Sequence, residues 1–418
     1  MAKIAKTMTM TMTMTKTMTM TNTRAMTLSF FSMRLKRREK RETAPPYMPF
    51  ILLEETAGRW YGRDNTKRSG VAMLSVVYRG KGDFALLEKP LPKLLDDRDA
   101  IVRVTLSSIC SSDLHIKQGS VPRAVPGTTV GHEFVGVVEQ VGPGVKKLRP
   151  GMRVAANVET FCGECFFCKR GFVNNCTDRN GGWALGCRID GGQAPYVRVP
   201  FADNGLTPIP EGISDEKALF TGDILATGYW AADLAEIKPA DTVAVIGAGP
   251  TGMCTLMSCR LYSPATLIAI DTDETRLALA KGKGLADVTL NPLTSDVEAQ
   301  VKALTEGRGA DSVLEVAGAK NTFELAWRIA RPNAIVCVVA LYDEPQVIPL
   351  PDMYGKNLIF KTGGVDGNKC EEILKLIRAG RLDPSFLITH RYALKDAMAA
   401  YALFEEKRDG VIKVALVP

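Results

Sequence analysis

From Met73 onward, short apolar runs alternate with polar, Gly- and Pro-rich breaks. The runs Ile101-Val102-Arg103-Val104 and Phe134-Val135-Gly136-Val137-Val138 are rich in β-branched residues and have strand length. Pro90, Pro92, Gly142, Pro143, Gly144, Pro150 and Gly151 punctuate them, which predicts a β-rich region with tight turns. Beyond about residue 212 the rhythm becomes strand, helix, strand, helix, and that order implies a parallel sheet with crossover helices. The predicted fold class is therefore α/β, with a β-rich portion first. No repeat of solenoid length is present.

Before residue 73 the pattern is different. Thr and Met alternate from Thr7 to Thr21, and the basic run Arg34-Leu35-Lys36-Arg37-Arg38-Glu39-Lys40-Arg41 follows. A period of two is strand-like, but so biased a composition reads as a low-complexity, disordered basic extension covering residues 1–72. Its Thr and basic content, with no acidic residue before Glu39, is shared with organelle transit peptides, although they form amphipathic helices with a different period. The preferred reading is that Met73 is the true start.

Composition changes the picture mainly through charge. The chain has 418 residues, 46% hydrophobic and 24% charged, which excludes a disordered chain, a collagen-like fibre or a small disulfide scaffold. No uncharged apolar run approaches the ~20 residues that span a bilayer, so no membrane partner is expected. The formal charge is +7, but residues 1–72 carry fourteen Lys or Arg against five Asp or Glu, leaving the rest slightly acidic. A nucleic-acid partner is therefore not expected either.

Cysteine and histidine carry the first chemistry. Cys162, Cys165, Cys168 and Cys176 fall within fifteen residues, a spacing that closes a tetrahedral shell around a structural Zn²⁺. Disulfides would need an oxidising compartment, for which there is no signal, and an iron–sulfur cluster is the minor alternative. Upstream stand Cys110-Ser111-Ser112-Asp113-Leu114-His115 and Gly131-His132-Glu133, which hold two of the three His in the chain. Cys110 and His132 suit two of the three protein ligands of a catalytic zinc, and Asp113 suits the role of orienting the His132 ring.

The third signal is Thr242-Val243-Ala244-Val245-Ile246-Gly247-Ala248-Gly249-Pro250-Thr251-Gly252, a strand running into Gly-x-Gly-x-x-Gly and then an apolar helix. Gly247 allows the tight turn, Gly249 lets a pyrophosphate approach the backbone, and Gly252 lets helix pack on strand. A second strand, Leu267–Ile270, ends at Asp271, where a carboxylate binds ribose hydroxyls and repels a 2′-phosphate; this points to NAD. Asp271 alone also fits a helix N-cap. Arg276, on the following segment, joins the expected cofactor-binding set.

Together these motifs make residues 73–418 resemble the zinc-dependent medium-chain dehydrogenase/reductases, the alcohol dehydrogenase superfamily. Asp311-Ser312-Val313-Leu314-Glu315-Val316-Ala317-Gly318 and Thr221-Gly222-Asp223-Ile224-Leu225-Ala226-Thr227-Gly228-Tyr229 belong to the same resemblance. It implies a Rossmann doubly wound parallel sheet joined to a β-rich GroES-like catalytic domain. The expected divisions are a catalytic domain at 73–221, a nucleotide-binding domain at 222–355 and a return to the catalytic domain at 356–418. It further implies Asp223 as the third catalytic zinc ligand, with Glu133 as the alternate, Ser112 and His115 as a proton relay, and Thr227 at the nicotinamide. Two zinc ions per subunit, a small alcohol or carbonyl substrate, a homodimer or homotetramer, and a cytoplasmic or organellar location follow from it.

Gly181-Gly182-Trp183-Ala184-Leu185-Gly186 and Ile189–Pro200 are similar to the branch acting on secondary alcohols, with diols and polyols as related substrates; Trp183 is either pocket wall or core. Two other function classes are open. A non-catalytic redox sensor that binds zinc and nucleotide would not need a relay, and a hydrolase would leave Asp271 without a role. Removing residues 1–72 is expected to leave folding and alcohol-dependent NADH formation intact, because that segment has no core-forming pattern. Aggregation or lost turnover of the truncated protein would contradict this.

Overall fold

The computed structural model describes residues 72–418, so the extension read at residues 1–72 lies outside the described residues except for Ala72, which begins the first strand. Its first elements are a hairpin, β1 (Ala72–Gly80) and β2 (Asp83–Pro90). The β-rich portion continues with β3 (Ala100–Ile109), β4 (Phe134–Val141), β5 (Arg153–Ala156), β6 (Glu159–Thr160), β7 (Gly182–Trp183), β8 (Tyr196–Val199) and β9 (Leu206–Pro208). The expected apolar runs at 101–104 and 134–138 lie inside β3 and β4 and pair antiparallel. In β4, Phe134 and Val135 are fully buried, because this sheet is covered on both faces.

The α/β portion supplies β10 (Thr242–Ile246), β11 (Thr266–Ile270), β12 (Val288–Leu290), β13 (Ala310–Glu315), β14 (Ala330–Val338) and β15 (Ile359–Thr362). They form one parallel sheet in the order β12-β11-β10-β13-β14-β15, the doubly wound arrangement whose order reverses beside the first strand. Its central strands β10 and β11 read as nearly continuous apolar runs and are buried on both faces. The sheet extends past the boundary expected at 355, since β15 begins only at Ile359.

The chain then returns to the β-rich portion. β16 (Ile388–Ala393) and β17 (Lys413–Val417) join the sheet ordered β16-β17-β3-β4-β5-β9, with β17 antiparallel to β3. Residues more than 300 apart in sequence thus become neighbours along β3.

The helix Ile224–Leu234 links the two portions and packs on the helix Pro250–Cys259 that follows the glycine-rich turn. Their contact is close enough that a Cβ on Gly228 would come within 2.6 Å of the backbone of Cys254 and Thr255. Overpacking of this kind costs about 1–3 kcal/mol. Gly228→Val is accordingly expected to lower the melting temperature measured by thermal denaturation, and an unchanged midpoint would contradict the packing described.

Candidate active site

The site starts at the end of β3. Cys110 precedes the short helix Ser111–Gln118, and the Asp113 carboxylate accepts the Cys110 backbone N–H at 3.0 Å, closing the first turn. The same carboxylate accepts from Gln193 Nε2 at 3.1 Å, and Gln193 Oε1 accepts from the Tyr401 hydroxyl at 2.8 Å. Gly131 is required beside this network: its φ is +94°, and a Cβ there would meet the Gln193 side chain at 2.4 Å. The result is a rigid seat for the next residue, His132.

His132 faces two carboxylates. Its Nδ1 lies 3.4 Å from Asp113 and its Nε2 lies 3.3 Å from Asp223, at the N-terminus of the helix Ile224–Leu234. Cys110 Sγ is 3.5 Å from the same Asp223 oxygen. The ligand atoms of Cys110, His132 and Asp223 therefore all lie within 4.8 Å of one another. Burial disfavours a charged His132, yet Asp113 and Asp223 outweigh it and push the ring well above its ordinary value. Burial also raises Asp223, but His132 and Lys413 outweigh that and hold its carboxyl low. A buried cluster of a thiol, an imidazole and a carboxylate whose field calls for positive charge has the donor set and compactness of a zinc site with three protein ligands. Asp113 lies on the other side of the ring from Asp223, 3.4 Å from Nδ1, the place an outer carboxylate takes at a metal-bound His.

Glu133 is turned elsewhere. Its carboxylate accepts from Ser108 Oγ and from Lys413 Nζ, and Lys413 Nζ also donates to Ile109 O at 2.9 Å. Glu133 and Lys413 are each 1% exposed as side chains. As the alternate ligand Glu133 is thus not gathered into the cage: its carboxylate is engaged by Ser108 on β3 and Lys413 on β17. Sequence reasoning missed Lys413, although a lone cation inside Val411-Ile412-Lys413-Val414-Ala415-Leu416 was a visible signal.

A cavity of about 530 Å³ runs from the cage to the glycine-rich turn. Cys110, Ser112, His115, His132, Asp223 and Thr227 line one end, and Gly247, Gly249, Gly252, Asp271 and Arg276 line the other. Apart from Glu133, the residues expected around the catalytic metal and the nucleotide are brought to one space. Ser112 Oγ is 3.7 Å from Cys110 Sγ. His115 lies one helical turn on, and its Nδ1 is 3.4 Å from Asp343, a neighbour that sequence reasoning did not find. Gly247 has φ +103°, and a Cβ on Gly252 would fall 1.9 Å from Gly247 O, so turn and helix can meet only as glycines. A Cβ on Gly249, by contrast, would meet only the Arg276 guanidinium, at 3.7 Å, which leaves the backbone open to a phosphate at a helix N-terminus. Asp271 accepts from Ala248 N at 2.6 Å and Asp273 N at 2.9 Å, whereas the N-cap of the helix Glu274–Gly282 is Asp273. The N-cap alternative for Asp271 is thereby resolved.

Trp183 lines the same cavity, edge-on to His132 with ring centroids 5.5 Å apart, so it is wall as well as core. Glu159, also missed, faces this wall, and burial pushes its carboxyl up to about 8. Outside the cavity the sulfurs of Cys162, Cys165, Cys168 and Cys176 lie within 4.8 Å of one another. Backbone N–H groups of Cys168 and Thr177 bring the Cys165 thiol down to about 5, whereas burial raises Cys168 and Cys176. Four sulfurs that close cannot stay unbridged thiolates, and they fit a closed tetrahedral zinc site.

The Glu133–Lys413 pair generates a stability prediction. Breaking a buried pair by removing one partner costs about 3–5 kcal/mol, because the other charge is left uncompensated. Lys413→Met is expected to lower stability to denaturant by that amount, and the double variant Lys413→Met/Glu133→Met to recover much of it. A single variant as stable as the parent would contradict the pairing.

Comparison with known proteins places the chain in a family. The alcohol dehydrogenase GroES-like domain family matches residues 96–211, and the zinc-binding dehydrogenase family matches residues 250–378. An alcohol dehydrogenase of Cupriavidus necator is 38% identical over 366 residues, covering 83% of this chain and 99% of the relative. The NADP-dependent isopropanol dehydrogenase of Thermoanaerobacter brockii is 31% identical, with coverage of 83% and 99%. Among solved structures, the alcohol dehydrogenase TADH from Thermus sp. ATN1 superposes with a TM-score of 0.76 at 36% identity, covering 82% of this chain and 99% of the other. The chain belongs to the zinc-type alcohol dehydrogenases of the medium-chain dehydrogenase/reductase family.

Proposed function

We propose that the protein is an NAD-dependent alcohol dehydrogenase in which Cys110, His132 and Asp223 hold a catalytic zinc, while Cys162, Cys165, Cys168 and Cys176 hold a structural one. The single observation carrying this reading is the continuous cavity that joins the three-ligand cage to the glycine-rich turn and Asp271. When bound, the zinc supplies Lewis acidity toward a hydroxyl oxygen and the nicotinamide accepts hydride from carbon.

The chain's own residues do the rest. Ser112, beside the cage, is placed to take the hydroxyl proton, and His115, three residues later on the same helix face, to pass it toward the cavity mouth. Asp343 lies 3.4 Å from His115 Nδ1, where it would favour a proton on that nitrogen. Thr227, one turn after Asp223, lines the stretch between cage and nucleotide turn, so it is placed to fix the nicotinamide. Asp271 accepts ribose hydroxyls and repels a 2′-phosphate, with Arg276 beside Gly249 at the phosphate end. The β-rich portion with the returning C-terminal strands serves as the catalytic domain, and the parallel sheet as the nucleotide-binding domain. The homodimer or homotetramer of this reading is supported by the unpaired edge of β15, where Ile359 and Phe360 are exposed. No helix among the described residues is long and apolar enough to cross a membrane.

NADH formation on adding alcohols to the protein with NAD⁺, followed by absorbance, tests the reading against a non-catalytic sensor, which would bind nucleotide without turnover. The wild type is expected to favour NAD⁺ over NADP⁺ in kcat/KM by about tenfold or more, equivalent to about 1.4 kcal/mol of discrimination. Asp271→Ser should narrow that ratio. A wild type that prefers NADP⁺, as the relative from Thermoanaerobacter brockii does by name, would refute the role given to Asp271.

A further inference from the structure

The cavity wall beside the cage carries polar groups that the dehydrogenase reading does not use. β6 and β7 form a two-stranded antiparallel ladder in which Glu159 stands directly opposite Trp183. Directly opposed residues project to the same face of a ladder. Trp183 touches His132 edge-on, so Glu159 is carried to the same wall, and both line the cavity that contains the cage. Glu159 is only 3% exposed, yet its Oε2 has no hydrogen-bond partner. The indole Nε1 of Trp183 is likewise buried and unpartnered.

An unmet donor and an unmet acceptor on one buried wall are unfavourable as long as they stay so. A hydroxyl seated between them would answer both, accepting from the indole N–H and hydrogen-bonding to the carboxyl oxygen. A hydrocarbon tail answers neither. Resting on the reading that the alcohol oxygen meets the cage of Cys110, His132 and Asp223, we propose that Glu159 and Trp183 Nε1 receive a second hydroxyl of the substrate. The preferred substrate class is then a diol or polyol with a free hydroxyl close to the reacting carbon, and plain monoalcohols are discriminated against. Sites built to hydrogen-bond a hydroxyl reject the analogue lacking it far more strongly than apolar pockets reject an added one.

The test compares kcat/KM for 2,3-butanediol and 2-butanol, which share a carbon skeleton and a secondary hydroxyl, with NAD⁺ and the metal-loaded protein. Wild type is expected to favour the diol by about tenfold or more, the discrimination of a satisfied against an unsatisfied buried pair. Glu159→Ala and Trp183→Phe should each collapse that ratio toward unity, while Glu159→Gln, which keeps hydrogen-bonding capacity, retains most of it. Trp183→Phe keeps the ring against His132, so it remains informative should Glu159→Ala fold poorly, and metal content and melting temperature identify such failure. A wild type that treats both alcohols alike, or a ratio that survives both Glu159→Ala and Trp183→Phe, overturns the proposal and leaves the dehydrogenase reading standing. No NADH from either alcohol would instead overturn the dehydrogenase reading, and this proposal with it.

Discussion

Everything in the catalytic half of the molecule is arranged around one buried excess of negative charge. A thiol, an imidazole and the Asp223 carboxylate converge within 4.8 Å, with Asp113 behind the ring, at the inner end of the cavity. Such a cluster is costly unless a cation answers it. It also explains why its members come from separate elements. Cys110 ends β3, His132 leads into β4, and Asp223 opens the helix that links the two portions of the fold. Residues adjacent in sequence could not surround an ion without bending the backbone sharply, whereas three elements approaching from different sides can.

The same constraint shapes the supports. Glu133 is a carboxylate immediately next to His132, and left free it would compete for the cation. Lys413, from the last strand, holds it through a buried pair that also reaches the backbone of Ile109. The return of the C-terminus to the first sheet therefore does more than complete the hydrogen bonding of β3: it places a positive charge where a second carboxylate has to be kept apart. At the far end of the cavity the demand is opposite, and open backbone at Gly249 with the Arg276 guanidinium nearby suits an anion.

The features legible in the sequence were those fixed by short spacing. Four cysteines in one loop, Gly247, Gly249 and Gly252 in one turn, and Asp271 after one further strand each have their geometry set by a few consecutive residues. So do the strand runs at 101–104, 134–138 and 242–246. The features that escaped depend on distant pairings. Lys413 reaches Glu133 across 280 residues, Glu159 is aligned with Trp183 by a two-residue ladder, and Asp343 meets His115 from a loop of the nucleotide-binding portion. The last strand of the parallel sheet lay past the expected boundary: Ile359–Thr362 is only four residues long, and its pairing with β14 is what assigns it to this sheet. Asp223 lay between these cases, since only resemblance marked it as a ligand and only the fold brings it to His132.

The central claim is that Asp223, and not Glu133, completes the cage. Metal analysis of purified protein decides it most directly, by counting zinc per chain in the wild type, Asp223→Ala and Glu133→Gln. The account predicts two zinc ions in the wild type, one in Asp223→Ala, where only the four-cysteine site stays filled, and two in Glu133→Gln. Two ions retained by Asp223→Ala together with one lost from Glu133→Gln would contradict it.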